Sequence, residues 1–289
     1  MVPVEDLPAP APAEVAPEPL VEVAPAEDEE LERDDRPGLG RRVLAGREVL
    51  LQAFHWESHN HDWYGIVGEK LDDIQSAGFT GVWLPPPSDS LAPQGYLPRD
   101  LWNLNSAYGG EGALRGLVQE LKERGICPIA DIVVNHRCAT HQGQGRKWNR
   151  WEGVRMDWGE WAICNNNPDF QGQGGPKQGQ DFHGAPNIDH TNQRVRSDIC
   201  EWLRHLRHDV GFEGLRFDFT KGYSGQWVGD YVRACEPDFA VGEFWDTLNY
   251  AGDGRPEYDQ GSHRQRSVDW VDATGGVSAT FDFTTKGGL

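Results

Sequence analysis

No run of apolar residues in this 289-residue chain approaches the roughly 18 that a membrane-spanning helix needs, so a spanning segment is excluded and no membrane partner is expected. Basic residues are scarce. Lys and Arg number 27 against 46 Asp and Glu, and a net charge of -19 repels phosphate backbones, so nucleic acid is not an expected partner. Cysteine is sparse, odd in number and irregularly spaced (Cys127, Cys138, Cys164, Cys200, Cys235), which argues against a disulfide framework and for a reduced compartment. The N-terminus lacks a basic stretch followed by an apolar core, so no secretory signal is expected. Residues 1–36 also lack any aromatic side chain, and they carry twelve acids against two bases. Such a segment cannot bury enough apolar surface to offset its ordering entropy. Its Pro-Ala repeats favour extended geometry, so residues 1–40 are expected to be an acidic, Pro/Ala/Glu-rich disordered linker or a plain tail.

What is present begins beyond that segment. All 12 Trp fall in residues 41–289. Apolar runs at 49–54, 79–84, 127–134, 214–219, 239–244 and 277–283 predict six strands. Helical periodicity appears at 68–77, 111–124, 192–209, 226–235 and near 263–273, with Gly78 and Gly125 placed as helix stops. Strands alternating with helices imply parallel βα units with right-handed crossovers. Residues 137–190, about 55 in all, are too many for an ordinary βα loop and predict a small inserted domain. The barrel portions are then 41–136 and 191–289.

In parallel α/β architectures the reactive groups lie at the C-terminal ends of strands. There the sequence offers Asp131-x-x-x-Asn135-His136, Arg216-x-Asp218-x-x-Lys221 and Glu243-Phe244-Trp245, with Tyr96 after the second strand. Arg216 and Asp218 are two apart and share one face of their strand. An arginine beside an aspartate favours the ionised carboxylate and suits a nucleophile. Glu243, next to two aromatic residues, has the setting expected to raise a carboxyl pKa, as a proton donor needs. Alone, an Asp at a strand end is more often a turn or cap residue; the joint occurrence in order is what points to a two-carboxyl glycosidase. His55, His59 and His61 lack Cys partners and are not read as a metal site.

These segments resemble the α-amylase family, retaining glycoside hydrolases on a (β/α)8 TIM-type barrel with a domain inserted after the third strand. DIVVNH (131–136), GLRFDFTK (214–221) and VGEFWD (241–246) match its first three conserved segments, and NIDH (187–190) the segment closing the inserted domain. The text around QAFHWES, GVWLPPPSDS, GYLPRDLWNLNSAYG and FDFTTKG is most similar to plant and green-algal members of plastidial type. The resemblance implies Asp218 as nucleophile, Glu243 as acid/base and Arg216 as the group orienting Asp218. It also implies that His136 binds sugar hydroxyls, that Tyr96 stacks on the sugar, and that Lys221 and Trp245 lie on the leaving-group side. The substrate class implied is a starch- or glycogen-like α-1,4-glucan, and the protein is expected to be a monomer.

Calcium is the cofactor that the resemblance implies, through Asn135 and the Gly222 carbonyl. Asn187 stands where the family has an Asp, and Lys177 replaces another ligand position, so at most one weakened site is expected. An ammonium on Lys177 offers a substitute for the ion's charge. The family's fourth segment, an Asn-His-Asp run after the seventh strand, does not follow FDFTTKGGL, so about six barrel strands are expected here. A glucan-binding or regulatory protein without turnover, or a debranching enzyme of the same clan, are the alternatives. The expected setting is intracellular or plastid, although residues 1–36 lack the Ser/Arg-rich character of a transit peptide.

Overall fold

A computed structural model describes residues 48–288 apart from 168 and 247. The expected linker over residues 1–40 lies outside the described residues. The central sheet has six strands in the order β1-β2-β5-β8-β9-β10: β1 Leu50–Gln52, β2 Gly81–Trp83, β5 Cys127–Ile132, β8 Gly214–Phe217, β9 Phe239–Gly242 and β10 Ala279–Thr280. Every neighbouring pair is parallel. This is the βα succession of a (β/α)8 barrel, with six of its strands among the described residues.

The helices are α1 Trp63–Glu69, α2 Leu71–Ser76, α3 Glu111–Glu123, α4 Gln193–Arg204, α5 Gly225–Cys235, α6 Gly261–Ala273 and α7 Phe283–Gly288. Helix α3 shows why they form where they do. Leu114, Leu117, Val118 and Leu121 recur at helical spacing, and all four are buried against the sheet. Asn192 caps α4 by accepting from the Arg194 and Val195 amides, and Ser224 caps α5 through the Gln226 amide. Gly78 and Gly125 both adopt positive φ just after helix ends, as their placement as stops requires.

Between β2 and α3, the short hairpin β3 Asp89–Ser90 and β4 Pro98–Asp100 builds one wall of the cleft. Between β5 and α4 the excursion holds a second hairpin, β6 His141–Gln142 and β7 Trp148–Arg150. It is tied to the end of β5 by a bridge between His136 and Asn187. Arg137 is fully buried there. It donates to the carbonyls of Arg99 (2.8 Å) and Met156 (2.9 Å), and its guanidinium lies 5.0 Å and 4.9 Å from the ring centres of Trp151 and Trp158. Burial lowers its pKa to about 9.

The helix expected over 68–77 is two, α1 and α2, and the last expected strand is corrected. The strand read over 277–283 shrinks to Ala279–Thr280, and Phe283 already opens α7. The alternation in VSATFDF reflects aromatic stacking instead: Phe281 lies against Trp83 at 5.8 Å and Phe283 against Trp245 at 5.5 Å.

Candidate active site

Register brings the reactive groups together. In β5 and β8, Asp131 is the register partner of Arg216, so both side chains leave the same face of the sheet. Phe217 pairs with Gly242 across β8 and β9. Asp218 and Glu243 therefore follow side by side, and their backbones continue the ladder: the Asp218 amide donates to Ile132 and the Glu243 amide to Phe217, each at 2.9 Å. Neighbouring strands run roughly 4.8 Å apart. That spacing suits the roughly 5–5.5 Å between carboxyl groups that a retaining glycosidase needs.

One guanidinium holds three acids. Arg216 Nη1 contacts Asp131 Oδ1 at 2.8 Å and Asp218 Oδ1 at 2.7 Å, while Nη2 reaches Glu243 Oε2 at 3.0 Å. Its plane also lies over the Trp83 ring at 4.5 Å. Asp131 is completed by Trp83 Nε1 (3.0 Å) and the Tyr96 hydroxyl (2.9 Å), both donating to Oδ2. Burial pushes Asp218 up to about 8 despite Arg216, and the charges of Asp131 and Glu243 push the same way. Asp131 is raised by burial as well. The arginine thus opposes protonation of Asp218, but burial and two neighbouring acids outweigh it. Glu243 does not sit in the apolar setting read from its neighbours. Phe244 turns away to stack on Trp270, and Glu243 faces Arg216 and accepts from the Phe219 amide at 3.2 Å. Phe219 itself holds φ +46°, a left-handed conformation that costs a non-glycine residue energy and recurs at functional sites.

Above this cluster opens a cavity of about 600 Å³ whose lining includes Phe54, Trp56, Trp83, Tyr96, His136 and Phe182 together with Arg216, Asp218 and Glu243. Trp56 is exposed and runs parallel to Tyr96, 6° between planes and 6.3 Å between centres. Flat apolar faces beside carboxylates suit a ring that is greasy on its faces and hydroxylated at its rim. His136 is buried, and its pKa falls to about 4. Its Nε2 meets the Tyr96 carbonyl at 2.8 Å and its Nδ1 the Asn135 amide nitrogen at 3.0 Å, which only the Nε2–H tautomer satisfies. The proton expected for a sugar hydroxyl is therefore committed to a carbonyl here. Lys221 and Trp245 do not line the cavity. They stand together beside it, 5.9 Å from Nζ to ring centre, with Trp245 exposed against Phe283.

The three residues expected to hold calcium do converge. Asn135 and Asn187 are buried, and a methyl group added to Gly222 would sit 2.0 Å from Asn135 Oδ1. The point on which the two amide oxygens converge is Lys177 Nζ, 2.9 Å from each. Calcium needs six to eight oxygens, usually with carboxylates. Among the described residues, no group of three or more His, Cys, Asp or Glu is arranged to hold a metal. An ammonium at the focus and amides in place of acids do not fit the ion.

Sequence reasoning named Asp131 at a strand end but gave it no role, and it overlooked Trp56, Trp83 and Phe182. Asp131 had a signal, its place in the DIVVNH motif; Trp56 and Trp83 had only their positions next to strand ends. A second cavity of about 660 Å³ shares Gly184 with the first. Its acids are engaged away from one another, Asp89 with Arg99 (2.8 Å) and Asp100 with the Trp102 amide (3.1 Å), so the cleft above Arg216 is the candidate site.

Acids on adjacent strand ends, joined by one arginine under an aromatic cleft, make up the candidate active site on a parallel α/β sheet. The family model "Alpha amylase, catalytic domain" matches residues 56–238. The chain belongs to the α-amylase family. It is 50% identical over 256 residues to "Probable alpha-amylase 2" of Arabidopsis thaliana, covering 89% of this chain and 61% of that protein. It is 47% identical over 244 residues to "Alpha-amylase 3, chloroplastic" of the same plant, covering 84% of this chain and 27% of that one. The fold is also that of an α-amylase from Malbranchea cinnamomea, with a TM-score of 0.52 at 23% identity over 71% of this chain and 42% of the other.

Proposed function

We propose that this chain forms the catalytic barrel of an α-amylase that cleaves internal α-1,4 bonds of starch- or glycogen-like glucans with retention. The observation that carries the reading is the register of Asp218 and Glu243 on neighbouring strand ends, both bound to Arg216. Asp218 attacks the anomeric carbon while Glu243 gives its proton to the departing glycosidic oxygen, which leaves as an alcohol. Water then attacks the glycosyl-enzyme, Glu243 takes the proton, and Asp218 is released. Arg216 fixes both carboxylates. Trp56 and Tyr96 offer the sugar an apolar face, His136 and Phe182 frame its other side, and Lys221 with Trp245 await the leaving chain. Calcium takes no step in this scheme. Residues 137–190 serve as the inserted domain between the barrel portions 41–136 and 191–289. The likeness to a protein named chloroplastic supports a plastid setting, and the protein acts as a monomer.

The test is release of reducing ends from soluble starch by the chain and by Asp218→Asn and Glu243→Gln variants. Activity that falls by at least about 10³-fold in both, with starch binding kept, is the expected outcome. A chain that binds starch and releases nothing would be a glucan-binding protein instead. A preference for pullulan over linear amylose would mark a debranching enzyme.

A further inference from the structure

The seam between the barrel and the excursion of residues 137–190 is closed by a side chain, and that side chain carries charge. Lys177 Nζ donates to Asn135, at the end of β5, and to Asn187, at the end of the excursion, both at 2.9 Å. Each amide is wired further. Asn135 Nδ2 donates to His136, whose other nitrogen holds the Tyr96 carbonyl. Asn187 accepts from the Phe182 amide (3.1 Å) and donates to its carbonyl (3.0 Å). Phe182 in turn stacks on His136, 3.7 Å between ring centres and 15° between planes. The Gln180 amide then fastens the same segment to the Lys221 carbonyl at 2.9 Å. The ammonium is thus the common neighbour of the floor and one wall of the cleft.

We propose that Lys177 is this chain's internal replacement for the family's structural calcium, a tethered cation that joins excursion to barrel and leaves the fold without a calcium requirement. The donor set supports an ammonium over a metal. The focus carries N–H donors, matching two neutral amide oxygens, and the 2.9 Å spacing is that of hydrogen bonds, longer than the 2.3–2.6 Å typical of calcium–oxygen contacts. Of the nearby acids, one is already engaged and the other acts on the ammonium through its charge. Asp189 is taken by the Gly175 amide (2.6 Å) and by Thr191, and Asp181 is exposed. A calcium ion would have to expel the ammonium against like-charge repulsion and would then find too few oxygens. A tethered cation also has no dissociation to suffer, so it holds at any calcium concentration.

The test is thermal unfolding of the whole chain in excess EDTA and in millimolar calcium, with a calorimetric calcium titration alongside. Neither readout involves glucan turnover, so this inference and the proposed activity fail separately. The expected result is one melting temperature in both buffers and no calcium-binding heat. Lys177→Met is expected to melt several degrees lower, with calcium giving nothing back. Calcium that raises the parent's melting temperature, as any ligand of the native state must, would overturn the proposal. So would a Lys177→Met variant that melts with the parent. Should that variant fail to fold, the parent's response to calcium decides alone.

Discussion

Asp131→Asn keeps the shape of a buried side chain and removes its charge, at a position where both carboxylate oxygens are in use. The carboxylate receives three hydrogen bonds, from Arg216 at 2.8 Å, Tyr96 at 2.9 Å and the Trp83 indole at 3.0 Å. An asparagine has one oxygen to offer. Turned toward Arg216, it presents its NH2 to Tyr96 and Trp83; the tyrosine hydroxyl can rotate to accept, but an indole N–H only donates. One buried donor is left without a partner, at about 1–3 kcal/mol, and the contact to Arg216 loses its charge at a further cost of about 1 kcal/mol. Relief of repulsion among the acids around one guanidinium offsets part of this. The net expectation is a loss of about 2 kcal/mol, roughly 4–8 °C in melting temperature for a domain of this size. A double-mutant cycle with Trp83→Phe isolates the orphaned donor, and a coupling energy of about 1 kcal/mol or more is expected. Asp131 is also one of the charges that raise Asp218, so the acidic limb of the starch-hydrolysis pH profile should move to lower pH in Asp131→Asn. A melting temperature within about 2 °C of the parent, or an unmoved acidic limb, would refute the reasoning.

Two further outcomes concern buried groups away from the carboxylates. His190 is fully buried against Tyr223 and Tyr231, and burial drives its pKa from 6.5 down to about 3. Unfolding takes up a proton between those values, so its contribution is complete above pH 6.5 and is lost as pH falls toward 3, by roughly 3 kcal/mol at pH 4.5. Melting curves from pH 4.5 to 7 should steepen less in His190→Asn; parallel curves for variant and parent would refute this. Arg137→Met leaves the Arg99 and Met156 carbonyls without their donor and removes the cation from between two tryptophans, but it also removes a charge whose burial is costly. A net loss of about 2–4 kcal/mol is expected, read as a lower melting temperature with earlier protease cleavage within 137–190, and unchanged melting would contradict it.

The elements legible in the sequence are those whose signal is local. Helix α3 is readable to within a residue because its four buried positions repeat at helical spacing, each within a turn of the next. Strands β5, β8 and β9 are readable as apolar runs, and the placing of Asp218 and Glu243 comes from strand ends alone. Illegible are the relations that span the chain. Asp131 meets Tyr96, Trp83 and Arg216 across 35, 48 and 85 residues, and no local pattern reports such partners. The setting of Glu243 escapes for the same reason: adjacency to Phe244 and Trp245 suggests an apolar pocket, while register turns its carboxylate to a guanidinium. VSATFDF fails differently, since alternation of aromatics serves a strand and a stacked aromatic ladder equally well.

The scarcity of bases gives these relations a common logic. In a chain with 46 acids and 27 bases, cations among the described residues are set at seams: buried Arg216 beneath the cleft, buried Arg137 between Trp151 and Trp158, and half-buried Lys177 between Asn135 and Asn187. Each joins segments far apart in sequence through oxygens that strand ends and loop carbonyls cannot satisfy among themselves, because both are acceptors. A barrel gathers such acceptors at its C-terminal mouth by construction, and one cation can bind several at once. Where the acceptors are carboxyl groups, the cation is a planar guanidinium that contacts three of them at once. Where they are neutral and only need joining, a single ammonium suffices. The same architecture therefore holds the strand-end acids and fastens the excursion to the barrel with groups covalently part of the chain.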